Sequence, residues 1–343
     1  MFEVSGFARK NLIVPNLLMA FFLASLSEAE AAVTLEETPT DARVVSVTNR
    51  VQVTGQLETS TAANKAIALK LVVDAEHQYL ERRLPGNGRN AKSLRSVRSY
   101  DTAEAKITVS QQTTFSRVRE KMNLIVAQGT QEGIEFYSPT GNMTFSELDV
   151  LSSPADSLAI LGLLPTSPVE VGKSWEPSGW VIQMLTGIEA VLKSELSCKL
   201  VSVTEGQAKV KFEGKIEGAT QGAATEISLS GTFTFDLKQK LISELELTQK
   251  EKRSVGAVSP GMQITATVKL SRSVSENAGP LTEKLAATIP LESPPESYLL
   301  LFQSPWNVRF GYGRNWHIFH QSDAVSVLRL IDKGSFIAQC NRK

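Results

Sequence analysis

The sequence predicts a mostly β protein built around a large, curved antiparallel sheet (a half-barrel or open barrel), with a few short helices between its halves. Two observations indicate this fold. Apolar residues recur at every second position over long stretches, whereas a helix would space them three and four apart. Short turn-type segments separate these stretches, as in sequential hairpins.

The alternation is clearest in the second half of the chain. Residues 227–237 (ISLSGTFTFDL) place Phe233 and Phe235 on one face and serines and threonines on the other, and residues 210–217 (VKFEGKIE) place Phe212 in the same way. From about residue 188 to 275 we predict five long strands in a meander. Strands with one buried and one solvated face are typical of antiparallel sheets. Long twisted strands curl, which favours an open barrel over a flat sheet.

The first half predicts further strands and a helical insert. Segments rich in Val, Thr, Ile and Phe predict strands near residues 43–57, 66–83, 97–110, 113–119, 123–128 and 134–137. Residues 143–186 differ, with Leu158, Leu161 and Leu164 at helical spacing. We expect this insert to plug one mouth of the curved sheet, the alternative being a lid over an apolar cavity.

The two ends of the chain differ from the β region at 32–275. Residues 1–31 read as a signal peptide: Arg9 and Lys10 precede an apolar run at 12–26, and small residues end at Ala31. The run of ~15 residues is shorter than the ~20 that span a bilayer. We therefore expect removal of the segment, export to the periplasm or the cell exterior, and no remaining transmembrane span. Residues 276–295 read as a proline-containing linker, and 296–343 as a short β-hairpin segment that docks on the β region or is the start of a truncated α/β domain.

Composition narrows the function. Lys+Arg and Asp+Glu each total 36, so no net charge indicates nucleic acid. Two cysteines and three histidines cannot supply the usual four-ligand zinc site, and no phosphate-binding glycine pattern or nucleophile elbow occurs. We predict no catalytic residues, no metal and no cofactor. A hydrolase of envelope polymers stays an alternative that requires a carboxylate pair, or His77, His317 or His320, in a cleft. On a regular strand His317 and His320 would face opposite sides.

Three sets of residues are candidates for binding or cross-linking. The inward-facing Phe212, Phe233 and Phe235 are candidate ligand contacts if the concave face is hollow. A basic run around Pro85 predicts an exposed loop that binds anionic lipid heads or an acidic polymer, or is simply solvated; its arginines are Arg82, Arg83, Arg89, Arg95 and Arg98. Cys198 and Cys340 form a disulfide in an oxidising compartment or remain separate thiols.

Two segments carry resemblances to known families. The element Leu164-Pro165, Pro168-Val169, Val171-Gly172 and Trp175 resembles one in uncharacterised secreted β-rich bacterial proteins. The architecture over residues 45–275 is similar to the half-barrel of LolA/LppX-type lipoprotein carriers, which implies an apolar concave face that holds acyl chains. Residues 307–341, with Phe310, Tyr312 and Trp316, resemble the first strands of the PsbP/Mog1-type α/β sandwich, here as a truncated or divergent copy.

Together these features favour an exported, non-enzymatic β protein that binds an apolar ligand or a cell-envelope partner, either a lipid or a protein. A scaffold with a closed core is the first alternative and the envelope-polymer hydrolase is the second.

Overall fold

The computed structural model describes residues 32–38, 41–60, 66–86, 90–256, 259–304 and 306–342. The predicted signal peptide lies outside these residues. Residues 32–343 cluster as one unit. No helix within the described ranges is long and apolar enough to cross a membrane.

The first half of the unit consists of six strands, and all lie near their predicted positions. They are β1 (Val44–Ser60), β2 (Ala66–Arg83), β3 (Arg95–Val109), β4 (Gln112–Arg117), β5 (Leu124–Gly129) and β6 (Ile134–Tyr137).

The helical insert follows in short pieces. Helix α1 (Phe145–Leu151) begins at a capping box in which the Thr144 hydroxyl and the Glu147 carboxylate each accept a backbone N–H of the other residue. A 3-10 helix (Ala159–Leu163), the two-residue strand β7 (Ser174–Trp175) and α2 (Gly179–Thr186) complete it.

The second half is the predicted meander. Its strands are β8 (Ala190–Ser194), β9 (Ser197–Thr204), β10 (Gln207–Thr220), β11 (Ala223–Asp236), β12 (Leu241–Arg253) and β13 (Gly261–Val274). The turn Glu205-Gly206 joins β9 to β10, and both of its residues have positive φ, as a two-residue hairpin requires.

These strands form a 13-stranded antiparallel sheet that is not closed. The order is β6-β5-β3-β2-β1-β13-β12-β11-β10-β9-β7, with β4 also on β3 and β8 also on β10. Strands β1 and β13 join the two halves in a long register that includes Val51 opposite Val268. The predicted fold class is therefore confirmed: a large open antiparallel sheet with short helices between its halves.

The core lies on the inner face of this sheet. Val210 and Phe212 of β10, like their neighbours on β11 and β12, pack with Ile160 and with Val181 and Leu185 of α2. Alternate residues of the same strands, such as Lys209 and Lys211, are exposed. The period-two pattern thus sorts the two faces as the sequence predicts.

Residues after β13 pack against the sheet. A short α3 (Glu283–Thr288) lies within the predicted linker, and Leu281 is buried with Val97 and Val126. The hairpin of β14 (Leu300–Gln303) and β15 (Arg309–Tyr312) follows. A three-stranded meander then ends the chain, formed by β16 (Trp316–Gln321), β17 (Ser326–Asp332) and β18 (Ser335–Arg342), and is called the C-terminal sheet below.

The predicted exposed basic loop is wrong for the four arginines that the structure describes; Arg89 lies outside the described residues. Arg82, Arg83, Arg95 and Arg98 are all buried. Arg82 and Arg95 donate to the backbone carbonyls of Leu281 and Pro290, which cover them. Arg83 and Arg98 lie on the inner face, because the register of β2 and β3 turns them towards the core.

Arg83 and Arg98 belong to a set of six buried charged groups, called here the buried ion network. Its members are Glu37, Glu81, Arg83, Arg98, Asp156 and Arg272. The three arginines balance the three carboxylates, which is what burial of charge requires.

Arg98 is the most connected member. Its two Nη atoms donate to the carboxylate of Asp156 at 2.7 and 2.6 Å, and its Nε donates to Glu81 Oε1 at 3.0 Å. Burial alone would raise the pKa of Glu81, but the neighbouring Arg83 and Arg98 lower it to about 2. Because the pKa of Glu81 is lower in the folded state, its carboxylate stabilises the fold at pH values above the ordinary pKa of 4.5. This contribution is lost as the pH falls towards 2.

The two cysteines do not form the disulfide considered above. Cys198 is buried in β9, whereas Cys340 is exposed on the C-terminal sheet, and both are free. The position of Cys198, with its side chain at 0% exposure among apolar neighbours, is that of a small core residue. Burial raises the pKa of its thiol to about 12.

Removing one partner of the buried ion network is expected to destabilise the fold strongly. Arg98→Met leaves Asp156 and Glu81 without their shared guanidinium, and we expect a loss of about 3–5 kcal/mol of unfolding free energy in urea titrations. Arg50→Met is the control, because Arg50 forms an exposed ion pair with Glu76, and such pairs contribute about 0–1 kcal/mol. Equal losses in the two variants would contradict the assignment.

The separate environments of the two thiols predict their reactivity. In the native protein a disulfide-exchange reagent such as Ellman's is expected to label one thiol per chain, because only Cys340 is accessible. Cys340→Ser should abolish native labelling and Cys198→Ser should leave it unchanged. Both thiols should react in denaturant without a reductant, and a failure to do so would indicate a disulfide.

Candidate functional site

The core beneath α2 leaves no room for a ligand at the three predicted phenylalanines. Phe212, Phe233 and Phe235 are each at most 1% exposed, and the rings of Phe212 and Phe233 lie 6.3 Å apart. This part of the sheet has the closed core of the scaffold alternative. A ligand site therefore has to be sought elsewhere on the molecule.

The inner face is open at the far ends of β1 and β2, beyond the helical insert. Apolar side chains continue there at period two, with Val53 and Leu57 on β1 and Leu69 and Val73 on β2, but they are only partly buried. Helix α1 covers Val53 and Val73 but not Leu57 and Leu69, which lie opposite the C-terminal sheet.

A cavity of about 710 Å³ lies between these strand ends and the C-terminal sheet, and it is called the chamber below. Leu57 and Leu69 form one wall and Val255 and Pro260 the rim. The opposite wall is the chamber-facing side of the C-terminal sheet: His317, Phe319, Arg329, Ile331 and Phe336. None of the described lining residues is acidic. The volume is within the range of pockets that hold small-molecule ligands.

The C-terminal sheet is held in place from both sides. Its other face packs Trp316 and Leu328 against the β14–β15 hairpin and Leu148 of α1. At its far end the turn Lys333-Gly334 lies against the turn Gln221-Gly222, which joins β10 to β11. The sheet thus extends from the helical insert to the opposite half of the main sheet and covers the chamber.

A second, smaller cavity of about 160 Å³ lies under α1. It is lined by Val53 and Val73, the same inner-face rows that lead to Leu57 and Leu69, and by His77 and Asp149. The apolar rows of β1 and β2 therefore line both cavities.

The three histidines form no catalytic arrangement in the described part of the chain. His77 Nε2 lies 2.7 Å from the Val150 carbonyl oxygen, and its Nδ1 has no partner there. The His317 ring meets the Phe145 ring edge-on, and partial burial lowers the pKa of this histidine. A general base needs an orienting hydrogen bond and a nucleophile or substrate proton in reach, and these contacts supply neither.

The sequence argument about His317 and His320 needs one correction. A bulge at Phe319 places His317 opposite Arg329 and His320 opposite Val327. Arg329 and Val327 are two residues apart on β17, so the two histidines share a face instead of taking opposite ones. His320 is exposed, and only His317 lines the chamber.

Another cavity, of about 800 Å³, is a groove on the outer face of the sheet. Its charged side chains alternate in sign across neighbouring strands, and some of them pair, as Arg50 does with Glu76 at 3.2 Å. Groups of three or more potential metal ligands do not occur in the described ranges. A face of charges that alternate in sign is what a solvated sheet surface presents, so the chamber is the better candidate site.

Comparisons with known proteins do not assign this chain to a family. The sequence matches no family model and no curated protein. Similar solved structures include lipovitellin, described as showing lipid–protein interactions, with a TM-score of 0.37 and 10% identity over 69% of this chain and 26% of that chain. An outer membrane channel from Pseudomonas putida F1 has a TM-score of 0.24 and 9% identity over 72% of this chain and 98% of that chain. Both scores are low, and neither similarity indicates a function; the resemblances to LolA/LppX-type carriers and to the PsbP/Mog1-type sandwich stay predictions.

The contact between the two turns predicts how the chamber can be opened. A Cβ on Gly334 would lie 2.2 Å from the Gln221 carbonyl oxygen, so Gly334→Ala is expected to separate the turns. Amide hydrogen exchange should then rise in both turns and in β17 and β18. Gly206→Ala is the matched control, because Gly206 has the same positive φ in a hairpin turn but no atom within 4 Å of its Cβ position. Unchanged exchange at Gln221 in Gly334→Ala would show that the turns are not in contact.

Proposed function

We propose that this chain is an exported, non-enzymatic protein that binds an apolar ligand in the chamber. The observation that carries the proposal is the chamber itself: about 710 Å³ walled by Leu57, Leu69, Phe319, Ile331 and Phe336. Three of the walls' side chains combine apolar character with exposure, since Phe319 is 63% and Phe336 53% exposed and Leu69 is only partly buried. A ligand that covers such surfaces gains roughly 25 cal/mol for each Å² removed from water.

Export is part of the proposal and rests on the leader-like residues 9–31 alone. An exported binder of apolar molecules meets its ligand outside the cytoplasm, in the periplasm or beyond the cell. The partners that we propose are accordingly a lipid or another apolar component of the cell envelope.

We propose that the protein is not an enzyme because of the contacts that the two cavity-lining histidines make. His317 lines the chamber and His77 the smaller cavity, so the hydrolase alternative keeps the cleft histidine that it requires. Neither ring, however, is hydrogen-bonded to a carboxylate or a serine hydroxyl of the described residues. The closed-core scaffold describes the half of the sheet around Phe212, but it does not explain the open chamber.

Filling the chamber should weaken binding of an apolar ligand. Leu69→Trp and Leu57→Trp each place an indole in the space between the walls, and we expect either variant to raise the Kd for an environment-sensitive apolar fluorophore at least about tenfold, a loss of ~1.4 kcal/mol. The affinity is measured by fluorescence titration, with circular dichroism to verify the fold.

The control is Leu192→Trp, which makes the same substitution at an 83% exposed site on β8. It should leave the Kd unchanged. Equal affinity in all four proteins would place the fluorophore outside the chamber, and no binding by the unsubstituted protein, together with no lipid in solvent extracts of it, would favour the scaffold.

A further inference from the structure

The chamber contains one cationic side chain whose charge is not neutralised by an acid. Arg329 lies in the middle strand of the C-terminal sheet and lines the chamber. Its Nε donates to Gln339 Oε1 at 3.0 Å, whereas no carboxylate of the described residues lies within 4.0 Å of it. The positive charge is therefore available to a ligand.

Two aromatic rings hold this guanidinium. Its central carbon lies 3.5 Å from the centroid of the Phe319 ring and 5.8 Å from that of Phe336. A planar guanidinium that stacks on aromatic rings through its faces keeps its edge for hydrogen bonds. Neither Nη atom donates to another described residue, so both are free to bind an oxyanion in the paired, bidentate way.

The surroundings favour an ion pair at this position. Ile331 and Leu57 line the same cavity, and of the described lining residues only His317 is a second titratable group. An anion beside Arg329 would be partly shielded from water, which strengthens its attraction to the guanidinium. A cation there would find no acidic partner.

We infer that the ligand of the chamber is an anionic amphiphile with a single hydrocarbon chain, whose carboxylate or phosphate head binds Arg329. The chain would lie along Leu57, Leu69 and Ile331. The inference rests on the proposed function and adds the head-group chemistry to it. A volume of about 710 Å³ is that of a small-molecule pocket, which favours one chain over the two chains of a diacyl phospholipid.

A series of ligands with the same chain and different heads tests the head group. Hexadecanoate, hexadecyl phosphate, hexadecanol and hexadecyltrimethylammonium are titrated below their micelle-forming concentrations against a bound fluorophore. We expect the two anions to bind at least about tenfold more tightly than the alcohol, and the cation to bind most weakly, because a hydrogen bond between two charged groups is stronger than one to a neutral hydroxyl. A preference for one anion over the other identifies the source of the head group.

Arg329→Gln should remove the advantage of the anions and leave the affinity for hexadecanol unchanged. Arg329→Lys keeps the charge without the planar fork and should retain part of the advantage. Arg309→Gln is the control, since Arg309 is an exposed arginine of β15 outside the chamber. It should behave as the unsubstituted protein.

The outcomes separate this inference from the proposed function. Equal affinity for acid and alcohol, with no effect of Arg329→Gln, overturns the head-group inference and leaves apolar binding standing. Binding of none of the four compounds overturns both. Tighter binding of a diacyl phosphatidylglycerol than of any single-chain anion overturns the single-chain part.

Discussion

The buried ion network ties together parts of the chain that are far apart in sequence. Glu37 comes from the segment before β1, Glu81 and Arg98 from the first half of the sheet, Arg272 from the last strand of the second half, and Asp156 from the helical insert. Each member would be costly to bury alone, so the six are stable only together. Charge pairing therefore fixes where the insert sits on the sheet, and apolar packing then fills the space that this placement leaves.

That placement divides the inner face in two. The insert covers the inner face in both halves of the sheet: α2 lies over the closed core with its fully buried phenylalanines, and α1 contacts β3 and β4. It stops short of the outer ends of β1 and β2, and there the C-terminal sheet supplies a second wall instead of a packed core. One molecule thus combines a closed half, which resembles a scaffold, with an open end suited to a ligand.

The sequence predicts local structure well and tertiary placement poorly. Period-two alternation was enough to locate the strands. The alternation of apolar and polar residues can be read within each strand, without knowing which strands are its neighbours. The prediction of an exposed basic run was wrong because Arg83 and Arg98 are buried through their acidic partners. These partners, Glu37 and Asp156, are distant in sequence and reach the arginines only in the folded protein. The bulge at Phe319 was equally invisible, since no glycine or proline marks it.

The candidate site was hidden for a related reason. Its walls come from the facing ends of β1 and β2, from residues 255–256 and 259–260, and from the C-terminal sheet, and none of these segments alone has a binding motif. The aromatic residues after Tyr298 were the available signal, and they left two interpretations open: a segment that docks on the β region, or the start of a truncated α/β domain. That aromatic side chains of the C-terminal sheet would face the open end of the main sheet follows from the packing of its other face on Leu148 and the β14–β15 hairpin.

The contact of Gly334 with the Gln221-Gly222 turn is made by main-chain atoms, and no ion pair between described residues joins the two turns. Separating the two turns would therefore break no ion pair between described residues. The separation of the two turns should therefore depend little on ionic strength. It should be governed by the flexibility of the two hairpins. A ligand that enters the chamber by this route would be held by its own contacts with the chamber walls, not by the contact between the two turns.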